Sequence, residues 1–245
     1  MIRARAIEGF PEVHPGDHLA ALIARAEPNL TSGDVVVVAH KIVSKAEGRI
    51  RRLADVEPGP EALVLAARLG KDPHHIQVVL DETAEIVRDE RVLICRTRHG
   101  FVCANAGVDA SNAPEDCVVL LPEDPDASAR RLRAAICPHP PRPAVVIADS
   151  FGRPWRVGQT DVAIGIAGLV AIEDWHGCPD RSGRELLATA IAIADEAAAA
   201  ADLARGGKDA GEPVVVVSGL ERFVSDDDGP GAAALVRARE ADLFT

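Results

Sequence analysis

The sequence predicts an α+β or α/β fold built on a mixed β-sheet. Strand-like and helix-like segments alternate along the 245 residues, which is typical of a sheet covered by helices. Some neighbouring strand-like segments are separated only by short turns, as in β-hairpins, and a purely parallel sheet has no hairpins. A hydrophobic content of 47% is ample for a sizeable core, in one large domain or two small ones.

The first third of the chain contains three predicted helices and one predicted strand. Asp17 is expected to cap a first helix, in which apolar residues repeat at helical spacing until Pro28. The β-branched segment 33–45 is typical of a buried strand. Segments 60–70 and 72–87 are predicted to be helices, because each has proline in its first turn and apolar residues on one face.

The middle of the chain is predicted to hold a hairpin, a strand and a helix. Segments 91–96 and 100–104 flank a short turn, and 117–122 is a short strand. Segment 124–136 has the start signals of a capped helix. Four prolines lie within the seven residues 137–143, which makes this connector the candidate boundary between subdomains.

The last part of the chain alternates again between strands and a helix. Segments 143–149, 162–175 and 212–219 are rich in β-branched residues and are predicted to be strands. The alanine-rich segment 183–207 is predicted to be one long helix.

The composition argues against several classes of partner. A net charge of −11 with 3% aromatic residues disfavours nucleic acid and anionic membranes, since both need a basic face. No apolar run is long enough to span a bilayer, and residues 1–10 lack the apolar core of a signal peptide, so we expect a cytoplasmic protein. The cysteines are odd in number and form no C-x-x-C pair, so we expect reduced thiols at Cys95, Cys103, Cys117, Cys137 and Cys178.

Two common nucleotide-binding signatures are missing from the sequence. Segment 206–211 is glycine-rich but lacks the G-x-x-x-x-G-K-[ST] spacing of a phosphate loop. No G-x-G-x-x-G follows a strand-like segment. We therefore expect neither a Walker-type NTPase nor a dinucleotide-binding fold.

Two acidic turns are candidate metal sites. Asp109 and Asn112 follow one strand-like segment, and Asp149 and Ser150 follow another. Carboxylate, amide and hydroxyl oxygens are hard ligands suited to Mg²⁺ or Mn²⁺. The alternative is that both aspartates only cap turns, as aspartate often does.

Basic and aromatic side chains near the same strand ends are candidates for binding anions and rings. Lys41 and Lys45 are either mobile charges that face phosphate or a solvated pair that ends an amphipathic stretch. In segment 152–160, guanidinium groups can form forked hydrogen bonds and an indole can stack on a ring. The alternative for this segment is a structural hairpin whose tryptophan fills the core. Its candidate binding residues are Arg153, Trp155, Arg156 and Gln159.

Seven motifs occur in order along the chain. They are GFPEVHPGDHL, VVVVAHKIVSKAEGR, ETAEIVR, GFVCANAGVDASN, DSFGRPWRVGQTDVAIGIAG, ADEAAAAADL and DLFT. Together they resemble the coenzyme F420-0:L-glutamate ligase family, which adds glutamate to the phospholactyl tail of a deazaflavin coenzyme with GTP as phosphoryl donor. The resemblance covers essentially the whole chain and implies a single ligase domain over residues 1–245.

The resemblance assigns roles to residues at matching positions. Asp109 and Asp149 match ligands of one divalent ion, and Ser150 matches a ligand of a second, where relatives often carry threonine. Together with Lys45, the two aspartates are the residues that we expect to act in catalysis. The positions that match nucleotide contacts of the family are Phe10, Pro11, Glu12, Val13, His40, Lys45, Asn112, Gly206, Gly207 and Lys208.

The resemblance also implies an architecture and a mechanism. It implies an α+β fold with two interleaved subdomains, an intertwined homodimer, two Mg²⁺ or Mn²⁺ ions per subunit and stimulation by K⁺. GTP would phosphorylate the carboxylate of F420-0, and the amine of L-glutamate would attack the acyl phosphate, with further γ-glutamates added in the same way. On chemical grounds we expect Arg153, Arg156 and Gln159 to bind substrate phosphodiester and carboxylates, and Trp155 to contact a ring.

Two other functions stay open at this point. One is a non-catalytic sensor that binds a nucleotide or a deazaflavin. Metal ligands beside a phosphate-facing lysine argue against it, because simple binding rarely needs two metal positions. The other is an amide ligase that acts on a different phosphorylated carboxylic acid.

Overall fold

The computed structural model describes residues 1–207 and 209–242. The helices are α1 Leu19–Ala26, α2 His40–Ala46, α3 Pro60–Leu69, α4 Pro73–Asp81, α5 Pro125–Ile136 and α6 Ile193–Ala204. The strands are β1 Arg3–Ala6, β2 Val35–Ala39, β3 Ile50–Arg52, β4 Thr83–Arg88, β5 Ile94–Thr97, β6 Val102–Ala104, β7 Cys117–Val119, β8 Ala144–Arg153, β9 Arg156–Ala167, β10 Glu173–Asp174, β11 Ala190–Ile191 and β12 Val214–Ser218.

The central sheet has five strands in the order β1-β12-β2-β8-β9. β2 and β8 are parallel, and the other neighbouring pairs are antiparallel, so the sheet is mixed and the fold is α+β, as predicted. Strands β2 and β12 are runs of valine that are almost fully buried. Such runs are typical of strands covered on both faces, because every side chain then needs an apolar neighbour.

Helices cover both faces of this sheet. Val36 and Val38 of β2 pack in one apolar cluster with α1, α2 and α5, whereas Val35 and Val37 pack in another with α6. The alternation follows from the two-residue period of a strand. Helix α6 is rich in alanine, whose small side chain lets the helix approach the sheet closely.

A third apolar cluster lies in the segment between residues 53 and 120. It contains side chains of α3, α4, the sheet β4-β5-β6 and the strand β7. The connector 137–143 joins α5 to β8, and both of these elements contribute to the apolar cluster that also contains α1. A subdomain boundary at this connector stays a prediction.

Two of the predicted elements change type part of the way along. The strand predicted over 33–45 ends at Ala39, and α2 follows directly. The helix predicted over 72–87 ends at Asp81, and Thr83–Arg88 pairs with β5 instead. Apolar residues such as Ile42 and Val43 suit the buried side of either element, so tertiary packing decides between them.

Two further sequence predictions need correction. The long helix predicted over 183–207 begins only at Ile193, and within 183–192 the residues Ala190–Ile191 pair with β10. Asp17 does not cap α1: its Oδ2 accepts a hydrogen bond from the backbone N–H of His14 at 2.7 Å, in a turn before the helix. None of the helices among the described residues has both the length and the apolar composition needed to cross a bilayer.

Candidate active site

The start of α2 contacts both of the predicted site aspartates. In the parallel pair of β2 and β8, Ala39 lies opposite Ala148, and β2 ends there. Asp149 and Ser150 were predicted to follow a strand, but they lie inside β8, which continues to Arg153, so this prediction is wrong. The imidazole Nε2 of His40 lies 3.2 Å from Oδ1 of Asp149. The Nζ of the next residue, Lys41, lies 2.7 Å from Oδ2 of Asp109. Consecutive bases therefore contact aspartates that are forty residues apart in the chain.

Asp109 both shapes a turn and carries a charge that the turn holds. Its Oδ1 accepts a hydrogen bond from the backbone N–H of Ser111 at 2.7 Å, and its Oδ2 accepts one from the Ser111 hydroxyl at 2.9 Å. Burial by itself would raise the pKa of Asp109, but hydrogen bonds from Lys41 and Ser111 and the charge of Lys41 outweigh burial and lower that pKa. Asp109 therefore caps its turn, and its lowered pKa favours the charged carboxylate that a metal ligand requires.

His40 is a buried base with few partners. Its side chain is only 2% exposed, and neither ring nitrogen has hydrogen-bond geometry with any described group. Nε2 lies close to Asp149, but the direction is unsuitable for a hydrogen bond. The hydroxyl of Ser44, fully buried on the same helix, also has no hydrogen-bond partner in the part of the chain that the structure describes. Unsatisfied buried polar groups are costly, and they are often found where a ligand or ion completes a site.

A pocket of about 340 Å³ lies beside the turn of Asp109. Four of the residues that match nucleotide positions line it, namely Glu12, Val13, Lys45 and Asn112. The Lys45 side chain is 8% exposed, and its Nζ pairs with the carboxylate of Glu12. A larger cavity of about 530 Å³ lies between α1, α2 and α5, and none of the predicted site residues lines it. The smaller pocket is the candidate site, because four of the predicted nucleotide-contacting residues line it and it adjoins the turn of Asp109.

The remaining nucleotide-matching residues lie around these groups. Phe10 is buried in the apolar cluster with α1 and supports the segment that carries Glu12, and Pro11 joins the two. Gly206 and Gly207 follow α6, and the backbone N–H of Gly206 donates to the Glu212 carboxylate at 2.7 Å. The predicted contact residue Lys208 lies outside the described residues.

Two functional candidates were missed by sequence reasoning: Asp161 and Arg205. Ser150 lies opposite Asp161 in the β8–β9 ladder, and its Oγ donates to Oδ1 of Asp161 at 2.6 Å. The other carboxylate oxygen of Asp161 pairs with Nη1 of Arg205, at the end of α6. Asp161 directly precedes the buried apolar half of β9, which was a usable signal, because a buried carboxylate needs partners.

The four predicted substrate-binding residues lie together at the far end of the β8–β9 hairpin. Arg153 pairs with Arg156 across the turn, and Gln159 pairs with Gly152. Trp155 has a φ of 61° in the turn and is 84% exposed, so the alternative that it fills the core is wrong. The hairpin extends these side chains away from the sheet, beyond Asp149 and Ser150.

The oxygen donors of the site fit an open divalent-ion site better than a closed one. Among the described residues, no three histidine, cysteine, aspartate or glutamate side chains converge on one point. These residues therefore offer no closed cage of the kind that structural zinc needs. They offer the carboxylates of Asp109 and Asp149 and the hydroxyls of Ser111 and Ser150. These oxygens fit an ion such as Mg²⁺, which commonly takes one or two carboxylates and completes its shell with water and substrate phosphates.

Comparisons with known proteins identify the family of the chain. Residues 9–219 match the family model described as F420-0:Gamma-glutamyl ligase. A protein named coenzyme F420:L-glutamate ligase from Methanothermobacter thermautotrophicus is 45% identical over 244 residues, covering 97% of this chain and 96% of the relative. Relatives of the same name from Methanopyrus kandleri (95% and 93% covered) and Halobacterium salinarum (99% and 95% covered) are also 45% identical. The match spans the candidate site from Glu12 to Arg205, and the chain belongs to the F420-0:gamma-glutamyl ligase family.

Proposed function

We propose that this protein ligates L-glutamate to the phospholactyl carboxylate of coenzyme F420-0, with GTP as phosphoryl donor and divalent metal ions as cofactors. The names of the relatives support the acceptor and the amino acid. The observation that carries the proposal is the convergence of Asp109 and Asp149 on consecutive bases beside a pocket that contains Lys45. Hard oxygen ligands beside a buried ammonium group suit a metal–triphosphate complex.

The chemistry explains why such a site is needed. A carboxylate does not react with an amine, because its oxygen is a poor leaving group. In the proposed first step a carboxylate oxygen of F420-0 attacks the γ-phosphorus of GTP, the bond to the β-phosphate oxygen breaks, and GDP leaves. In the second step the glutamate amine attacks the carbonyl carbon of the acyl phosphate, loses a proton, and inorganic phosphate leaves with the bridging oxygen. The product is an amide, and repetition of the cycle would add further γ-glutamates.

Charged side chains of the chain would bind and orient the phosphates. Lys45 would exchange Glu12 for a phosphate oxygen, since its Nζ already faces the pocket. Asp109, Asp149 and Ser150 would hold two Mg²⁺ or Mn²⁺ ions, and the bound ions would neutralise charge that develops on the transferred phosphoryl group. Such positioning and charge stabilisation is the main assistance that proteins give to phosphoryl transfer.

The acceptor and the assembly are part of the same proposal. Arg153, Arg156 and Gln159 would bind the phosphodiester and carboxylates of F420-0 and glutamate, and Trp155 would contact the deazaflavin ring. We also propose a homodimer, stimulation by K⁺ and a cytoplasmic location. The fully exposed Val157 and the 84% exposed Trp155 support the dimer, because an intertwined partner would cover them.

Product analysis tests the proposal. Protein stripped of metal by chelation is incubated with F420-0, L-glutamate and GTP, with and without Mn²⁺, and the products are identified by mass spectrometry. We expect one or more glutamate additions and an equal amount of GDP, only when Mn²⁺ is present. Ligand binding without any mass increase would indicate a sensor. GDP release only with another phosphorylated carboxylic acid would indicate a different acceptor.

A further inference from the structure

We infer that Asp161 and Arg205 are positioning residues that fix the direction of the hydrogen bond of the Ser150 hydroxyl, so that the oxygen of Ser150 can act only as an acceptor toward a divalent cation. The inference rests on the proposed function, in which Ser150 is a ligand of such an ion. It concerns residues that neither the sequence motifs nor the names of the relatives assign to a role.

The side chains of Ser150, Asp161 and Arg205 contact one another in series. Ser150 and Asp161 lie opposite each other in the β8–β9 ladder, and the hydroxyl donates to Oδ1 of Asp161 at 2.6 Å. Oδ2 of Asp161 pairs with Nη1 of Arg205. The side chain of Asp161 is 3% exposed and that of Arg205 is 11% exposed, so water competes little for either contact.

Donor and acceptor chemistry fixes the direction of the hydrogen bonds among these three side chains. A guanidinium group only donates hydrogen bonds, and an ionised carboxylate only accepts them. Asp161 must therefore accept hydrogen bonds from both neighbours, and the single hydroxyl hydrogen of Ser150 must be donated to Asp161. Every other contact of the Ser150 oxygen has to use its lone pairs, which is the state that a metal ion requires. Groups that orient a ligand in this way commonly change metal affinity by about tenfold to a hundredfold.

A purely structural role explains the Asp161–Arg205 pair less well. Nε and Nη2 of Arg205 are buried and have no hydrogen-bond partner among residues 1–207 and 209–242, so within this part of the chain Nη1 makes the strong contact. A buried ion pair with unsatisfied donors is a weak source of stability. Arg205 also directly precedes Gly206, where the glycine-rich loop begins. The pair thus connects this loop to the hairpin strand that carries Ser150.

Asp161→Asn is the informative substitution because it preserves shape but reverses the hydrogen bond. Arg205 would take the amide oxygen, since it cannot accept from the NH₂ group. The NH₂ group would then face Ser150, whose oxygen would have to accept that hydrogen bond. We expect Asp161→Asn to weaken Mn²⁺ binding by about tenfold to a hundredfold.

The experiment is a double-mutant cycle on metal binding. Mn²⁺ is titrated in the presence of a non-hydrolysable GTP analogue, with free Mn²⁺ followed by electron paramagnetic resonance, for wild type, Asp161→Asn, Ser150→Ala and the double variant. If Asp161 acts through Ser150, the double variant binds Mn²⁺ no more weakly than Ser150→Ala alone. The matched control is Asp202→Asn, which removes a carboxylate 3.8 Å from the same Arg205 nitrogen and is expected to leave Mn²⁺ affinity within twofold of wild type.

A second variant separates this effect from a loss of folding. Asp161→Asn leaves Arg205 without its anion, so thermal unfolding is measured on every preparation. In Asp161→Asn/Arg205→Met no guanidinium group donates to the amide oxygen of residue 161, so this oxygen can again accept the hydrogen bond of Ser150. Mn²⁺ affinity should then return to near the wild-type value. Unchanged affinity in Asp161→Asn, losses that multiply in the cycle, or absence of this rescue would each overturn the inference and leave the proposed function standing. Wild-type protein that binds no Mn²⁺ would overturn the inference together with the metal-dependent function.

Discussion

Replacing the two site aspartates by asparagine separates a metal-binding role from a turn-forming role. Asparagine keeps the oxygen that accepts from Ser111 N–H in Asp109, and the oxygen that accepts from Ser150 N–H at 2.8 Å in Asp149. It removes the negative charge that a hard cation requires. The two substitutions should therefore affect catalysis much more than folding.

The magnitudes follow from the contacts of each side chain. Asp109→Asn loses an ion pair with Lys41 in which the aspartate is 43% exposed, and such a pair contributes about 0.5–1 kcal/mol after solvent screening. For a chain of this size, that loss lowers Tm by roughly 1–4 °C. Loss of a charge-stabilising group in phosphoryl transfer costs about 2.7–4 kcal/mol, a rate loss on the order of a hundredfold to a thousandfold.

Thermal unfolding and GTP-dependent glutamate ligation are measured on the same preparations. The matched control is Asp227→Asn, because Asp227 accepts from the backbone N–H two residues ahead, at Gly229, in the same way that Asp109 accepts from Ser111. The control should keep wild-type turnover. If Asp109→Asn and Asp149→Asn unfold at lower temperature but retain near-normal turnover in the folded fraction, the two aspartates have only a structural role and the reasoning is refuted.

Four other outcomes are expected from the same structure. Because the pKa of Asp109 is lowered by folding, its ionised carboxylate stabilises the fold at pH values above its unfolded pKa of about 3.9, and this stabilisation is lost as the pH falls through the folded pKa. Acidification should therefore lower Tm less in Asp109→Asn than in wild type. An equal dependence of Tm on pH in the two proteins would contradict this. Lys45→Met should raise KM for GTP by about tenfold to a hundredfold, since it removes a charged donor from the pocket, and a KM within twofold of wild type would exclude phosphate contact. Burial is the main cause that raises the pKa of Cys103 to about 12, and the nearby charge of Asp149 is the second. Iodoacetamide at about pH 8 should therefore modify Cys103 only after unfolding, and labelling of Cys103 in the native protein would contradict its burial. Wild-type protein should be a dimer by light scattering and Trp155→Ala/Val157→Ser should shift it toward monomer; a monomeric, fully active wild type would refute the proposed assembly.

The sequence was sufficient for the buried valine-rich strands of the central sheet, but not for β1 or for the extension of β8 and β9 into a long hairpin. Valine runs such as Val35–Ala39 predict buried strands, because few other elements tolerate consecutive β-branched residues. The parallel pairing of β2 with β8 places Asp149 beside the residue after Ala39, and this pairing was not predictable from either segment alone. Asp149 as a metal ligand stays a prediction from its side-chain chemistry.

Other features depend on tertiary contacts that no local pattern contains. Helix α2 continues an apolar run without a break, and only the packing of Ile42 and Val43 against α5 and the sheet distinguishes it from a strand. The role of Asp161 depends on Arg205, which lies 44 residues further along the chain. That arginine follows an alanine-rich helix and has no distinctive neighbours in sequence. Long-range pairing of this kind becomes visible only when the strand and the helix end are placed in space.

The distribution of charge suits the proposed binding of a triphosphate by an acidic protein. The chain has a net charge of −11, yet each site acid contacts a basic side chain: Lys41 contacts Asp109, His40 contacts Asp149 and Arg205 contacts Asp161. In the pocket, the buried Lys45 pairs with Glu12. A nucleotide would thus meet a site in which basic side chains already lie against the acids. A divalent ion that binds the aspartates would also weaken the hold of these bases, which would leave their charges available to phosphate oxygens. Metal and nucleotide should accordingly bind more tightly together than either does alone.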